Sequence, residues 1–380
     1  MKKNYKIFLS YLILLFTFIF LYSCENKQEQ TISTSQSLNP DEYDKIDMKL
    51  GGKSLKISLN YKINAQVKSE REFVELKTTD LFKIGNLNDT TFYYATFVRS
   101  DESGNIYVLD MAECSIKIFN SDGAFIRKYG RRGRGPGEFL SPFRMDVTPS
   151  GKLLVLDPNL HKCELFVNDE SKQFKLSSMP IGICFADSTS FVTLQVTNPF
   201  DNSSLVKHNI VSGTLIECDN LILNTDSLNL GPLTFLQGEI LNIDKNNFIY
   251  VPFYMSHFVK YSNEGKIILV RNSIDNKKLP SIIRDNSKLI DFRLPNEYIS
   301  SLYAFIIKNE LYNVSKKATK SDESNSDFII DVYDLDNIEY LYSFILPNKE
   351  KIMNIFMDKK RIYLLNTNQE LEVLSYIIVK

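Results

Sequence analysis

DESGNIYVLDMAECSIKIFNSDGAF, residues 101–125, returns as TPSGKLLVLDPNLHKCELFVND at residues 148–169. Gly104 aligns with Gly151, Asp110 with Asp157 and Phe119 with Phe166, always 47 positions apart. A third copy, DKNNFIYVPFYMSHFVKYSNEGKI, starts at Asp244, and a fourth, DKKRIYLLNTNQELEVLS, at Asp358. Two degenerate copies, DSTSFVTLQ with Val192 and KNELYNV with Leu311, fill the gaps. The anchors Ile106, Leu153, Val192, Ile249, Leu311 and Ile362 make six units of about 51 residues.

Each unit reads as short strands separated by Gly, Asn, Asp or Ser turns, with an apolar period nearer two than 3.6. The first half, as in DESGNIYVLD, predicts a turn into a half-buried strand. The second half predicts two strands around the turn at Asp122-Gly123. With one inner strand added, a repeat becomes a four-stranded sheet that cannot bury both faces alone. Such sheets stack radially, so the expectation is an all-β, six-bladed β-propeller of four-stranded antiparallel blades. Residues 53–82 have strand character without the anchor, and are expected to pair with the last blade near the C-terminus, removing its open edge. The run Ser315–Asp327 reads as a solvated insertion in blade five.

The N-terminus speaks to location. Lys2, Lys3 and Lys6 precede an apolar run from Ile7 to Phe20, which is short for a membrane span of roughly 20 residues and fits a signal-peptide core. Residues 25–50 begin with ENKQEQTISTSQSLNPDE, too polar to bury a core, and predict a flexible tether ahead of a propeller spanning 51–380. A formal net charge of −1 argues against nucleic-acid binding. Cys114, Cys163, Cys184 and Cys218 sit in strand-like runs without paired spacing, and are expected to be buried free thiols.

Two resemblances follow. Leu21-Tyr22-Ser23-Cys24 resembles the lipobox of bacterial lipoproteins, which implies cleavage before Cys24, lipid attachment to its sulfur and an N-terminal membrane anchor. Gly130-Arg131-Arg132-Gly133-Arg134-Gly135-Pro136-Gly137-Glu138-Phe139, with Pro142, resembles the G-x-x-G-x-G-P-G-x-F-x-x-P connector of NHL-repeat propellers. Together they resemble the six-bladed β-propeller lipoproteins of gut anaerobic Gram-negative bacteria. The resemblance implies export and lipid anchoring in the cell envelope, at the outer membrane, with a monomeric propeller. It assigns no reaction, because propellers host many functions.

Candidate binding groups are few. Arg131, Arg132 and Arg134 place three guanidiniums in a glycine-rich loop, and Arg144, on the expected innermost strand, is placed near the channel mouth. Guanidinium forks suit carboxylated or sulfated ligands, although an inter-blade connector explains the glycines equally well. His161 and His257 occupy one repeat slot, shared with Cys114, and read as scaffold in the turn between second and third strands. His208 is isolated. Asp110 and Asp157 are expected to bond the backbone of the following turn. Three triplets, at Asp89, Asp187 and Asp226, resemble an O-glycosylation pattern of exported gut-bacterial proteins. No nucleophile elbow, phosphate loop, dinucleotide fingerprint or metal-ligand spacing occurs, so no cofactor, metal or catalytic residue is expected. The leading expectation is a non-catalytic binding or scaffolding propeller for a glycan, peptide or envelope protein. The alternative is a lactonase-like hydrolase or lyase holding a divalent cation in the channel, to which Asp146 and Glu239 would contribute oxygens.

Overall fold

The computed structural model describes residues 45–50, 53–196, 203–221, 236–276, 282–284, 301–316, 327–348 and 351–380. Cys24, the signal segment, most of the expected tether, the triplet at Asp226 and residues 317–326 of the blade-five insertion lie outside them.

Six four-stranded antiparallel sheets form the propeller. Blade 1 is β4 (Ala95–Ser100), β5 (Ile106–Asp110), β6 (Ser115–Phe119) and β7 (Phe125–Tyr129). Blade 2 is β8 (Arg144–Val147), β9 (Leu153–Asp157), β10 (Lys162–Val167) and β11 (Glu170–Lys175). Blade 3 is β12 (Met179–Asp187), β13 (Ser190–Val196), β14 (Ser203–Asn209) and β15 (Leu215–Glu217). Blade 4 is β16 (Gly238–Asn242), β17 (Asn247–Pro252), β18 (His257–Ser262) and β19 (Ile267–Asn272). Blade 5 is β21 (Tyr303–Ile307), β22 (Glu310–Lys316), β23 (Phe328–Asp334) and β24 (Tyr340–Leu346). Blade 6 is β25 (Ile352–Met357), β26 (Arg361–Asn366), β27 (Leu371–Val379) and, outermost, β3 (Glu75–Ile84). The first strands β4, β8, β12, β16, β21 and β25 adjoin one another in a closed ring around the axis.

The core is six interfaces rather than one interior. In β5, Tyr107 and Leu109 pack toward blade 2, while Ile106 and Val108 pack toward blade 6. In β9, Leu153 and Val155 face blade 1, and Leu154 and Leu156 face blade 3. Every residue of IYVLD and LLVLD is therefore buried. The half-buried strand expected from the sequence is instead covered on both faces, because a blade's middle strands lie between two neighbouring sheets. The outer strand β7, FIRKY, is largely exposed. In blades 1 and 2 the hairpin between first and second strands turns on glycine: Gly104 and Gly151 adopt φ of 84° and 82°, open to glycine at little cost.

All six anchor residues fall on second strands and are fully buried. Their register is not uniform. Ile106, Leu153, Leu311 and Ile362 face the preceding blade, whereas Val192 and Ile249 face the following one. Phe191 and Phe248 hold the equivalent positions in blades 3 and 4. A one-residue slip exchanges the two faces of a strand. With both faces apolar, the sequence pattern alone could not detect it.

Ring closure is N-terminal, but only the end of the expected 53–82 segment makes it. β3 pairs with β27 from Glu75↔Val379 to Ile84↔Leu371. β2 (Lys53–Ser58) pairs instead with β1 (Lys45–Leu50), inside the segment expected to be tether, and β1 pairs with β20 (Ile282–Arg284) in a separate small sheet. Between them, residues 59–74 form a strap. Leu59 and Tyr61 enter the blade 3–blade 4 core, the Asn64 amide donates to the Val270 carbonyl at 3.0 Å, and Phe73 bridges Ser343 of blade 5. Cys114, Cys163, Cys184 and Cys218 are buried and free, as read from their setting, and burial pushes the Cys163 and Cys184 thiols well up.

Candidate functional site

The arginine loop, residues 130–143, connects β7 to β8 and is pinned from within. The Glu138 carboxylate accepts from Arg131 Nε and the Gly135 amide, each at 2.9 Å. A Cβ at Gly133 would meet that carboxylate at 2.1 Å, so a side chain there would push Glu138 off its bonds to Arg131 and Gly135. Glu164 of β10 accepts from the Gly137 amide at 2.7 Å and from Lys162 Nζ at 2.9 Å, and Lys162 also donates to the Gly135 carbonyl at 3.1 Å. This buried ion pair holds the loop to blade 2. The glycine pattern is thus a packing requirement, and the arginines are what it presents.

The three loop arginines part company. Arg131 turns back to Glu138 while remaining largely exposed. Arg132 donates to the Ala112 carbonyl in the β5–β6 turn at 3.2 Å. Arg134 lines an open cleft of about 280 Å³ with His161, Lys162, Gln173 and Lys175. Connectors into first strands and turns between second and third strands therefore share a face. The same juxtaposition recurs in blade 4, where the Phe253 amide donates to the Gln237 carbonyl at 2.9 Å.

Arg144 opens β8 and enters the axial region. Its guanidinium carbon lies 4.5 Å from the Phe143 ring centre and 5.0 Å from that of Phe97. Its Nε is 3.8 Å from Glu239 on β16, and Arg99 NH2 on β4 is 4.0 Å from the other oxygen of the same carboxylate. Blades 1 and 4 are opposite in a six-membered ring, so Glu239 reaches across the axis to Arg99 and, two blades away, to Arg144 on blade 2. Burial lowers the Arg99 pKa, with Glu239 and Asp146 opposing it. Asp146 accepts from the Phe185 amide at 2.7 Å, and burial raises its pKa. Tyr303 donates to the Met353 carbonyl at 2.5 Å, and burial pushes its hydroxyl up to about 12.

Asp110, Asp157, His208 and His257 are structural. Asp110 accepts from the Tyr93, Tyr94 and Glu113 amides, and Asp157 from those of Leu140, Ser141, Asn159 and Leu160. Each carboxylate thus ties its own turn, as expected, and also the connector beside it. His161 and Cys114 share left-handed backbone, with φ of 47° and 56°. His257 does not share their slot: it opens β18 as Lys162 opens β10, a consequence of the slipped register in blade 4. His208 stacks on Phe191 at 4.7 Å. Thr90 and Ser188, in the triplets at Asp89 and Asp187, are exposed. Among the described residues no three His, Cys, Asp or Glu side chains converge as a metal-ligating group.

Residues 58–166 match the family model DUF5128, described as a 6-bladed beta-propeller. No curated protein matches the chain. A member of the DUF4221 family from Bacteroides vulgatus superimposes with a TM-score of 0.56 at 11% identity, covering 82% of this chain and all of its own. A protein from Bacteroides fragilis, provisionally described as exported, gives 0.54 at 12% identity over 83% of this chain and 99% of its own. Virginiamycin B lyase from Staphylococcus aureus gives 0.49 at 13% identity, over 80% of this chain and all of its own. Together with the six closed blades, the family match and the two Bacteroides likenesses place the chain among six-bladed β-propellers, a statement of fold and not of chemistry.

Proposed function

We propose that this chain is an exported envelope lipoprotein, held by lipid at Cys24, whose propeller acts as a non-catalytic binding module. The polar stretch after Cys24 serves as the tether. The face carrying the blade connectors, with Arg131, Arg132, Arg134 and, at the axis, Arg144, meets a glycan, peptide or envelope protein. The observation that carries the non-catalytic reading is Glu239, set 3.8 Å and 4.0 Å from Arg144 and Arg99. A divalent cation needs several converging, uncompensated oxygens. Here the central carboxylate is compensated by two guanidiniums, whose charge repels a cation at the same place. The sequence supports export through the basic start, short apolar run and lipobox-like Cys24.

The test is a glycan and peptide binding screen on the purified chain in detergent, with elemental metal analysis of the same sample. A ligand retained without being transformed, and no stoichiometric divalent cation, are expected. Turnover of a bound compound, or a stoichiometric cation lost on Glu239→Gln, would overturn the proposal.

A further inference from the structure

The cleft beneath Arg134 is built from blade 2 and the connector that enters it. The β10–β11 ladder sets Lys162 directly opposite Lys175 and Glu164 directly opposite Gln173. Like charges directly opposite in a ladder are destabilising unless something neutralises them. Lys162 is neutralised, because its ammonium is buried on Glu164. Lys175 is exposed, and among the described residues no carboxylate lies within ion-pair distance of it or of Arg134. The nearest acids are already committed: both oxygens of Glu164 and both of Glu138 accept bonds from the loop and its neighbours. The lining holds no Asp or Glu at all.

The remaining walls are fixed before any ligand arrives. Asp157 caps the turn that carries Leu160, and the Leu176 amide donates to the His161 carbonyl at 2.8 Å. Leu160 and Leu176 give the cleft an apolar side, while Gln173 and His161 add hydrogen-bonding groups. Its volume of about 280 Å³ lies at the lower edge of the ~300–1,000 Å³ typical of small-molecule sites. That suits one sugar-sized body rather than a long chain lying in a groove.

Resting on the binding-module reading above, we infer that this cleft takes a monosaccharide unit bearing an oxyanion, either a carboxylate or a sulfate ester. Arg134 and Lys175 hold the oxyanion from two sides, Gln173 and His161 bond ring hydroxyls, and Leu160 with Leu176 cover the apolar face of the ring. Preorganised walls reduce the ordering cost of binding.

The experiment titrates the full-length chain in detergent micelles with glucuronate, glucose 6-sulfate, neutral glucose and inorganic sulfate, by calorimetry at low and physiological salt. Both acidic sugars bind, more tightly at low salt, and glucose does not. Arg134→Ser combined with Lys175→Ser raises Kd at least about tenfold, the scale of one lost charge-assisted contact. Lys245→Ser, at an exposed position of the β16–β17 hairpin in blade 4, leaves Kd unchanged. Both replaced side chains in the double variant are exposed, so an unaltered thermal melt is expected to show that it folds. Failure of both acidic sugars to bind, binding indifferent to the double variant, or inorganic sulfate binding as tightly as the sugars would each overturn the inference. A ligand from the wider glycan and peptide screen that ignores the double variant refutes this cleft while leaving the module reading intact. No ligand in either experiment overturns both.

Discussion

The phenol oxygen of Tyr61, on the N-terminal strap, is hydrogen-bonded to Nε2 of His257, the first residue of β18, at 2.8 Å. The rings meet edge to face with centres 5.4 Å apart, and both residues are buried. The strap is therefore part of the interior and not a trailing segment. It enters the blade 3–blade 4 core here, clamps blade 5 through Arg71, and ends as the outer strand of blade 6.

Burial lowers the His257 pKa to about 3 and the His208 pKa to about 4. Both rings are neutral when folded, and the unfolded chain takes up their protons first, near the ordinary value of about 6.5. Their contribution to stability is therefore complete above about pH 6.5 and is lost as pH falls toward those lowered values. Urea midpoints measured between neutral pH and about pH 4 should fall steadily. Tyr61→Phe with His257→Phe, which removes the titrating ring and its partner together, should flatten that fall. An unchanged slope would refute the role given to His257.

Arg71 grips Asp331 of β23 with two bonds, at 2.7 Å and 2.8 Å, and Asp275 at 2.6 Å. Burial disfavours its charge, but the two carboxylates outweigh this and raise its pKa. Burial likewise raises the Asp331 pKa, with Arg71 opposing. Removing the arginine leaves a carboxylate that is 1% exposed without its main partner. Arg71→Ala should cost about 3–5 kcal/mol in chemical denaturation, and Arg71→Met with Asp331→Asn should recover much of it. Equal losses in the single and double variants would show that packing of the strap, not charge, is what matters.

The blades were legible because IYVLD and LLVLD are apolar on both faces and end on a turn-tying aspartate 47 residues apart. The weaker copies located strands but not their faces, hence the slips at Val192 and Ile249 and the misplaced slot of His257. The axial cluster was legible only in part. Arg144 was read from its expected innermost strand, and Asp146 and Glu239 were read only as oxygen donors to a channel cation, while Arg99 was missed. Its signal was present: the 47-residue spacing puts Arg99 in the slot of Asp146 and Phe97 in that of Arg144, and the ladders agree, with Arg99 opposite Tyr107 and Asp146 opposite Leu154. Opposite charges in one slot of adjacent blades mark an ion network at the axis. Partners across the ring, such as Glu239, carry no sequence spacing that could announce them. Nor did the loop sequence separate Arg134 from Arg131, because the difference lies in Glu138 folding back beneath Gly133.

Glu239 and Glu138 offer a controlled contrast between a buried and an exposed pairing. Glu239→Gln leaves Arg99 and Arg144, 11% and 20% exposed, facing one another without their shared carboxylate. A loss of about 3 kcal/mol is expected, smaller at high salt, where the repulsion is screened. Arg131→Ser breaks a pair whose arginine is 79% exposed, and should cost less than about 1 kcal/mol. Thermal melts of both variants across a salt series decide the matter. Equal, salt-independent losses would mean that the axial cluster is held by packing alone.

Cys24→Ala should abolish lipid attachment. Each acyl CH₂ buried in a bilayer contributes about 0.8 kcal/mol, so lipid on Cys24 would dominate membrane retention of the mature chain. The run Ile7–Phe20 is shorter than the roughly 20 residues a comfortable span requires. Among the described residues no helix is long and apolar enough to cross a membrane. Because an uncleaved signal segment can itself slow release, the primary readout is incorporation of labelled palmitate, with fractionation second. Wild type should carry label and sediment with washed membranes. Cys24→Ala should carry none and shift toward the supernatant, and a version starting at residue 25 behind a cleavable secretory signal should appear wholly there. Label retained by Cys24→Ala, or membrane retention of the version lacking both cysteine and signal, would sink the lipoprotein assignment.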